Sequence, residues 1–260
     1  MRRVRFRDTA GTVRGGRWTT VDGEDVVTAA AGPYGRIAFG DETFDPEEVD
    51  ILPPCEPTKI VCVGRNYAEH ADEFDNEIPD RPLLFLKPPN TVASHDSTVT
   101  LPAGKERIDY EGELGVVIGE QCRHVSASEA DDVIAGYTPF CDLSNRDDQN
   151  VEQNWVRGKA FDNAAPIGPV IATPEHLKDD ATIETRVNGE TKQSSSIEHM
   201  IFPIPELIEE ITTYMTLEPG DIVATGTPEG VGPLDQGDTV EVEIEDVGTL
   251  RHSVKFPDRP

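Results

Sequence analysis

Short apolar runs, each closed by glycine or proline, confine this chain to a mostly β architecture. KIVCVG, PLLFLKPP, LGVVIG, GPVIA and DIVATGTP recur at strand length, without a regular alternation with helices. The most demanding of these segments is DYEGELGVVIG at 109–119. From Leu114 onward it is apolar on both faces, so the strand must enter the interior. Yet Asp109, Glu111 and Glu113 stand at alternate positions and share one face. Burying carboxylates unpaired is costly, and a divalent cation removes that cost. Hard oxygen donors of this kind suit Mg2+, Mn2+ or Ca2+. The other reading is the solvated face of an edge strand, and the residues alone leave both open. VEVEIED at 240–246 repeats the pattern differently. There Val240, Val242 and Ile244 alternate cleanly with Glu241, Glu243 and Glu245, as expected of a one-sided strand whose carboxylates face water.

Residues 1–57 read as short strands with glycine turns, a small N-terminal β module ending in the proline-rich linker ILPPCEPTK. Residues 58–260 form the main domain. Two helices are predicted, one in SASEADDVIAG and one in PIPELIEEITTYMTL. In the second, Ile204, Leu207, Ile208 and Ile211 share a face, and Pro219–Gly220 make the turn into the next strand. Asn66 is placed to cap a short helix in RNYAEHADEF.

The charge is lopsided: 50 acidic against 23 basic residues, a net charge of −27. Disorder is excluded by the recurring strand signals. A folded protein with a surface adapted to high salt fits better, because the Debye length shrinks to about 3 Å at 1 M. Such a surface repels nucleic acid and anionic membranes, so neither is an expected partner. No secretory signal or apolar span of membrane length occurs, which points to the cytoplasm. Cys55, Cys62, Cys122 and Cys141 form no C-x-x-C pair and are expected to be reduced thiols.

His70 and Glu73 lie three apart, on one face of a helical turn. A carboxylate beside an imidazole raises its basicity, as a water-activating base requires. The chain lacks H-E-x-x-H, G-x-S-x-G and a phosphate-binding G-K-[ST] loop.

Six segments in order, GRNYAEH, FLKPPN, DYEGELGVVIG, FCDLSNRDDQ, GKAFDNAAPIGP and TGTPEGVGP, resemble the fumarylacetoacetate hydrolase family over about residues 58–256. The preceding segment is similar to the N-terminal module of many bacterial and archaeal members. The resemblance implies a mainly β protein with a few helices, a β-roll (mixed β-sandwich or pseudo-barrel) behind a small β module. It implies Mg2+ or Mn2+, with Ca2+ as a further option, held by Glu111, Glu113 and Asp142. Lys159 is then a cationic partner near the metal and Thr227 a substrate contact, with Arg65, Lys87 and Gln149 as further pocket residues. His70 and Glu73 match the His–Glu pair of the acylpyruvase-like branch.

The implied chemistry starts from a small 2-oxo acid. Its main reading is hydrolytic C–C cleavage of an acylpyruvate or fumarylpyruvate, with His70–Glu73 activating water and the metal and Lys159 stabilising a pyruvate enolate. The same stabilisation serves isomerisation of 2-hydroxyhepta-2,4-diene-1,7-dioate, or tautomerisation or decarboxylation of oxaloacetate. A catalytically silent metal-binding protein is a third reading. Family members commonly form homodimers, and one is expected here.

Overall fold

The computed structural model describes residues 1–30, 39–68 and 79–257. Among them the dominant element is an 11-stranded sheet. From one edge it runs Phe39–Phe44, Glu24–Ala30, Val13–Val21, Arg2–Arg7, Val170–Ala172, Ile134–Cys141, Gly112–Ile118, Ile222–Ala224, Ile60–Gly64 and Leu83–Lys87, with Asp50–Leu52 pairing beside Arg2–Arg7. A 5-stranded sheet packs nearby, ordered Glu190–Ser196, Thr182–Val187, Thr239–Ile244, Gly248–Lys255 and Thr98–Thr100. The sheets do not close into barrels, so the expected β-roll is open.

The apolar-on-both-faces reading of LGVVIG has a direct cause. Leu114, Val116 and Ile118 pack with Val61, Val63 and the helix residues Leu207, Ile208 and Ile211. Val117 turns the other way, into a cluster with Ile60, Cys62, Phe140 and Ile222. Central strands of this sheet are covered on both sides, hence the unbroken apolar run.

The helix Ile204–Tyr214 buries the face expected of it, and Gly220, with φ of 89°, makes the turn before Ile222–Ala224. One local expectation is corrected. SASEADDVIAG forms a 3-10 segment, Ala127–Val133, that buries only Ala130, since its consecutive acids leave no apolar stripe to fix an α-helix. Asn66 was expected to cap a helix most of whose residues lie outside those described. Its side chain donates to Phe202 O at 3.1 Å and Thr225 O at 2.8 Å and accepts from Phe202 N at 2.8 Å, tying two loops together.

The N-terminal strands are part of the large sheet. Arg2, Arg3 and Val4 pair in register with Ala172, Ile171 and Val170. The four cysteines are free thiols. No helix among the described residues is long and apolar enough to cross a membrane.

Candidate metal centre and substrate cleft

Glu111 stands where the chain changes sheets. Ile108–Tyr110 pairs with Ser144–Asn145 and Gly232–Pro233, whereas Gly112–Ile118 joins the large sheet. Gly112 explains the middle of the E-x-E motif. A Cβ there would lie 2.0 Å from Thr185 Oγ1, so the residue between the two glutamates has no room for a side chain. Gly112 pairs with Cys141, and Asp142 N donates to Glu111 O at 2.8 Å. Two adjacent strands thereby bring Glu111, Glu113 and Asp142 together. Each offers an oxygen within 4.8 Å of the others, and all three are buried.

Lys159 reaches this cluster from the short helix Val156–Lys159. Its ammonium donates to Glu111 Oε2 and Asp142 Oδ2, both at 2.7 Å, and to Ser144 Oγ at 2.5 Å. Burial alone would lower its pKa, but the charges of Asp142 and Glu111 outweigh it and hold the lysine above its ordinary value. Phe85 covers the same ammonium, with the ring centroid 4.9 Å from Nζ, and Trp155 packs edge-on against Phe85.

Glu113 is placed differently. Gly226 N donates to its Oε2 at 2.9 Å, but no ammonium or guanidinium among the described residues forms an ion pair with it. Burial, then the charges of Asp142 and Glu111, push its pKa well above the usual carboxylate range. Asp142 Oδ1 lies 2.7 Å from Lys87 Nζ yet accepts no well-aligned hydrogen bond. Lys87 instead directs its protons at three carbonyls: Leu143, Lys159 and Ala164. Three buried hard oxygens, one acid without an ion-pair partner among the described residues and one under-satisfied oxygen fit a divalent cation. The described residues that would hold it are Glu111, Glu113 and Asp142.

A cleft of about 420 Å³ opens over the cluster. Arg65, Gln149 and Thr227 line it, as do Glu111, Glu113, Asp142 and Lys159. Arg65 is held in the left-handed region at φ 58°, as is Trp155 at 55°, so two non-glycine residues of the cleft wall carry backbone strain. The Thr227 hydroxyl donates to Gly112 O at 2.8 Å, which commits its proton to the backbone. Lys87 departs from the expected pocket role: it is fully buried behind Asp142 and does not line the cleft. His70 and Glu73 lie outside the described residues.

Several cleft residues carried no sequence expectation. Arg146 binds Glu111 and Gln149, Phe85 and Trp155 form an aromatic wall, and Gly226 supplies the amide to Glu113. All but Trp155 lie within segments that resemble the family, but type and spacing alone gave them no chemistry.

The second acidic strand is amphipathic as expected, with Val240, Val242 and Ile244 buried. Its carboxylates are only half exposed, however. Arg186 on the facing strand takes Glu241 at 3.2 Å and Glu243 at 2.8 Å, and Lys178 takes Glu245 at 3.1 Å.

Residues 59–255 match the fumarylacetoacetate (FAA) hydrolase C-terminal family, and residues 1–54 match the Rv2993c-like N-terminal family. An uncharacterized protein of Archaeoglobus fulgidus is 47% identical over 214 residues, 81% of this chain and 84% of that protein. Oxaloacetate tautomerase YisK of Bacillus subtilis is 42% identical over 234 residues, 83% of this chain and 76% of that protein. The crystal structure of 2-hydroxyhepta-2,4-diene-1,7-dioate isomerase from Mycobacterium marinum superposes with a TM-score of 0.90 at 36% identity, covering 100% of both chains. Carboxylate cluster, fold and sequence agree: the chain belongs to the fumarylacetoacetate hydrolase family.

Proposed function

We propose that the protein isomerises or tautomerises a small 2-oxo acid at a divalent-metal site formed by Glu111, Glu113 and Asp142. The observation that carries this reading is the buried carboxylate cluster with the Lys159 ammonium 2.7 Å from two of its members. The names of the tautomerase and isomerase relatives support this chemistry over the hydrolytic reading.

When bound, Mg2+ or Mn2+ would supply Lewis-acid charge to an enolising 2-oxo acid. The chain's own residues do the rest. Lys159 keeps its proton and presents a fixed positive charge to developing negative charge on substrate oxygen, in a site where burial strengthens that interaction. Phe85 and Trp155 keep water from the ammonium. Arg65 has no ion-pair partner among the described residues, which leaves its guanidinium to a substrate carboxylate. Keto–enol interconversion moves one proton between carbon and oxygen and needs no activated water, and these groups bind and polarise the substrate for that transfer.

The test is a Mg2+-supplemented panel of oxaloacetate, the hydroxy-dienedioate and acylpyruvates, with ultraviolet change, pyruvate and CO2 followed separately. Ultraviolet change without pyruvate or CO2 is expected. Acylpyruvate cleavage faster than tautomerisation would restore the hydrolytic reading. A bound ion with no turnover of any substrate would favour a structural metal. His70→Ala separates the chemistries further: it should cost a hydrolase about 10²- to 10⁴-fold in kcat.

A further inference from the structure

Asp109 stands one strand position ahead of the carboxylate cluster, on the face first read from DYEGE, and takes no part in it. It is nonetheless fully buried. Arg107 donates to it from Nε at 2.9 Å and from Nη2 at 3.0 Å, and Arg146 donates from Nε at 2.8 Å. The remaining nitrogens of Arg146 reach into the site: Nη2 to Glu111 Oε1 at 2.5 Å and Nη1 to Gln149 Oε1 at 2.7 Å. One planar guanidinium therefore joins Asp109 to a member of the cluster and to a cleft amide. Such a fork cannot turn toward one partner without losing another.

We infer that Asp109 is a positioning residue that acts through Arg146. It offsets part of the Arg146 charge, so that Glu111 stays available to a cation, and it fixes which end of the Gln149 carboxamide is spent on Arg146. Removing the Asp109 charge leaves the full guanidinium charge on Glu111, where it opposes a divalent ion. Arg146 is the side chain that links Asp109 to both Glu111 and Gln149. This inference rests on the metal reading proposed above.

The experiment is Mn2+ titration of the metal-stripped, full-length protein by calorimetry. Asp109→Asn should weaken Mn2+ binding roughly ten- to hundred-fold, the range for residues that orient metal ligands. The double variant Asp109→Asn with Arg146→Gln should bind within about two-fold of Arg146→Gln alone, because the path is already cut. A purely structural Asp109 would lower the melting temperature and leave Mn2+ affinity unmoved, and that result overturns the inference. So does a loss that persists undiminished in the Arg146→Gln background. If Asp109→Asn alone does not fold, Asp109→Ser is titrated in its place with the same expectations, and a double variant that binds Mn2+ more weakly than Arg146→Gln alone still overturns the inference. Failure of the unmodified protein to bind Mn2+ would remove the metal site itself, and this inference with it.

Discussion

At the scale of single residues, the two acidic strands have separate fates. Glu111→Gln or Asp142→Asn should abolish divalent-ion binding, measured by calorimetry, and any metal-dependent turnover. Glu243→Gln breaks a half-exposed pair with Arg186 and should cost only about 0.2–1 kcal/mol with activity retained. Equal damage from both would erase the distinction. Glu113 gives a pH signature. Its pKa is raised in the folded state, so its contribution to stability is fully present below the ordinary carboxylate range. That contribution is lost as pH rises toward the folded value. In metal-free protein, Glu113→Gln should therefore match the parent at low pH and become the more stable of the two as pH rises. Thermal unfolding across pH, with and without Mg2+, checks this; added ion should erase or reverse the difference.

At the scale of elements, loop anchors decide whether the site forms. Gly226, at φ 97°, donates to Glu113, and a Cβ there would meet Asn66 Cβ at 2.8 Å and Val63 O at 3.1 Å. Gly226→Ala should displace the loop and weaken ion binding. Asn66→Ala removes three hydrogen bonds and should cost roughly 2–3 kcal/mol by denaturant unfolding. The sequence made the strands and the helix Ile204–Tyr214 legible, because period leaves a direct trace in residue type, whereas Glu111, Glu113 and Asp142 were named as one set only through the family resemblance. The bonds from Asn66 to Phe202 and Thr225 were not legible, since those partners lie far along the chain. Lys87 was misplaced for the same kind of reason. Nothing in FLKPPN says that its ammonium points inward to backbone carbonyls instead of into the cleft. Arg146 went unread, and Asp109 was read only as sharing a face with the two glutamates, because a guanidinium shared among three partners is a property of packing between strands, invisible to spacing.

At the scale of the whole molecule, the net charge of −27 makes self-repulsion a constant load on the fold. We expect stability to rise with salt, and dialysis from molar to low salt should lower the melting temperature. An unchanged value would count against a salt-adapted surface. We also expect a homodimer, which light scattering in molar salt would overturn by giving a 28.5 kDa particle. The N-terminal strands have a further consequence. Arg2–Val4 is hydrogen-bonded in register to Val170–Ala172, which continues through Tyr137 into the strand that ends at Cys141, just before Asp142. A ladder cannot act as a hinge, because any rotation across it breaks several bonds at once. Opening and closing of the cleft by swinging the N-terminal segment would have to break this ladder. Cutting the chain after residue 57 would uncover the Val170–Ala172 edge, and the remaining chain is expected to pair with its neighbours and precipitate, which light scattering would check.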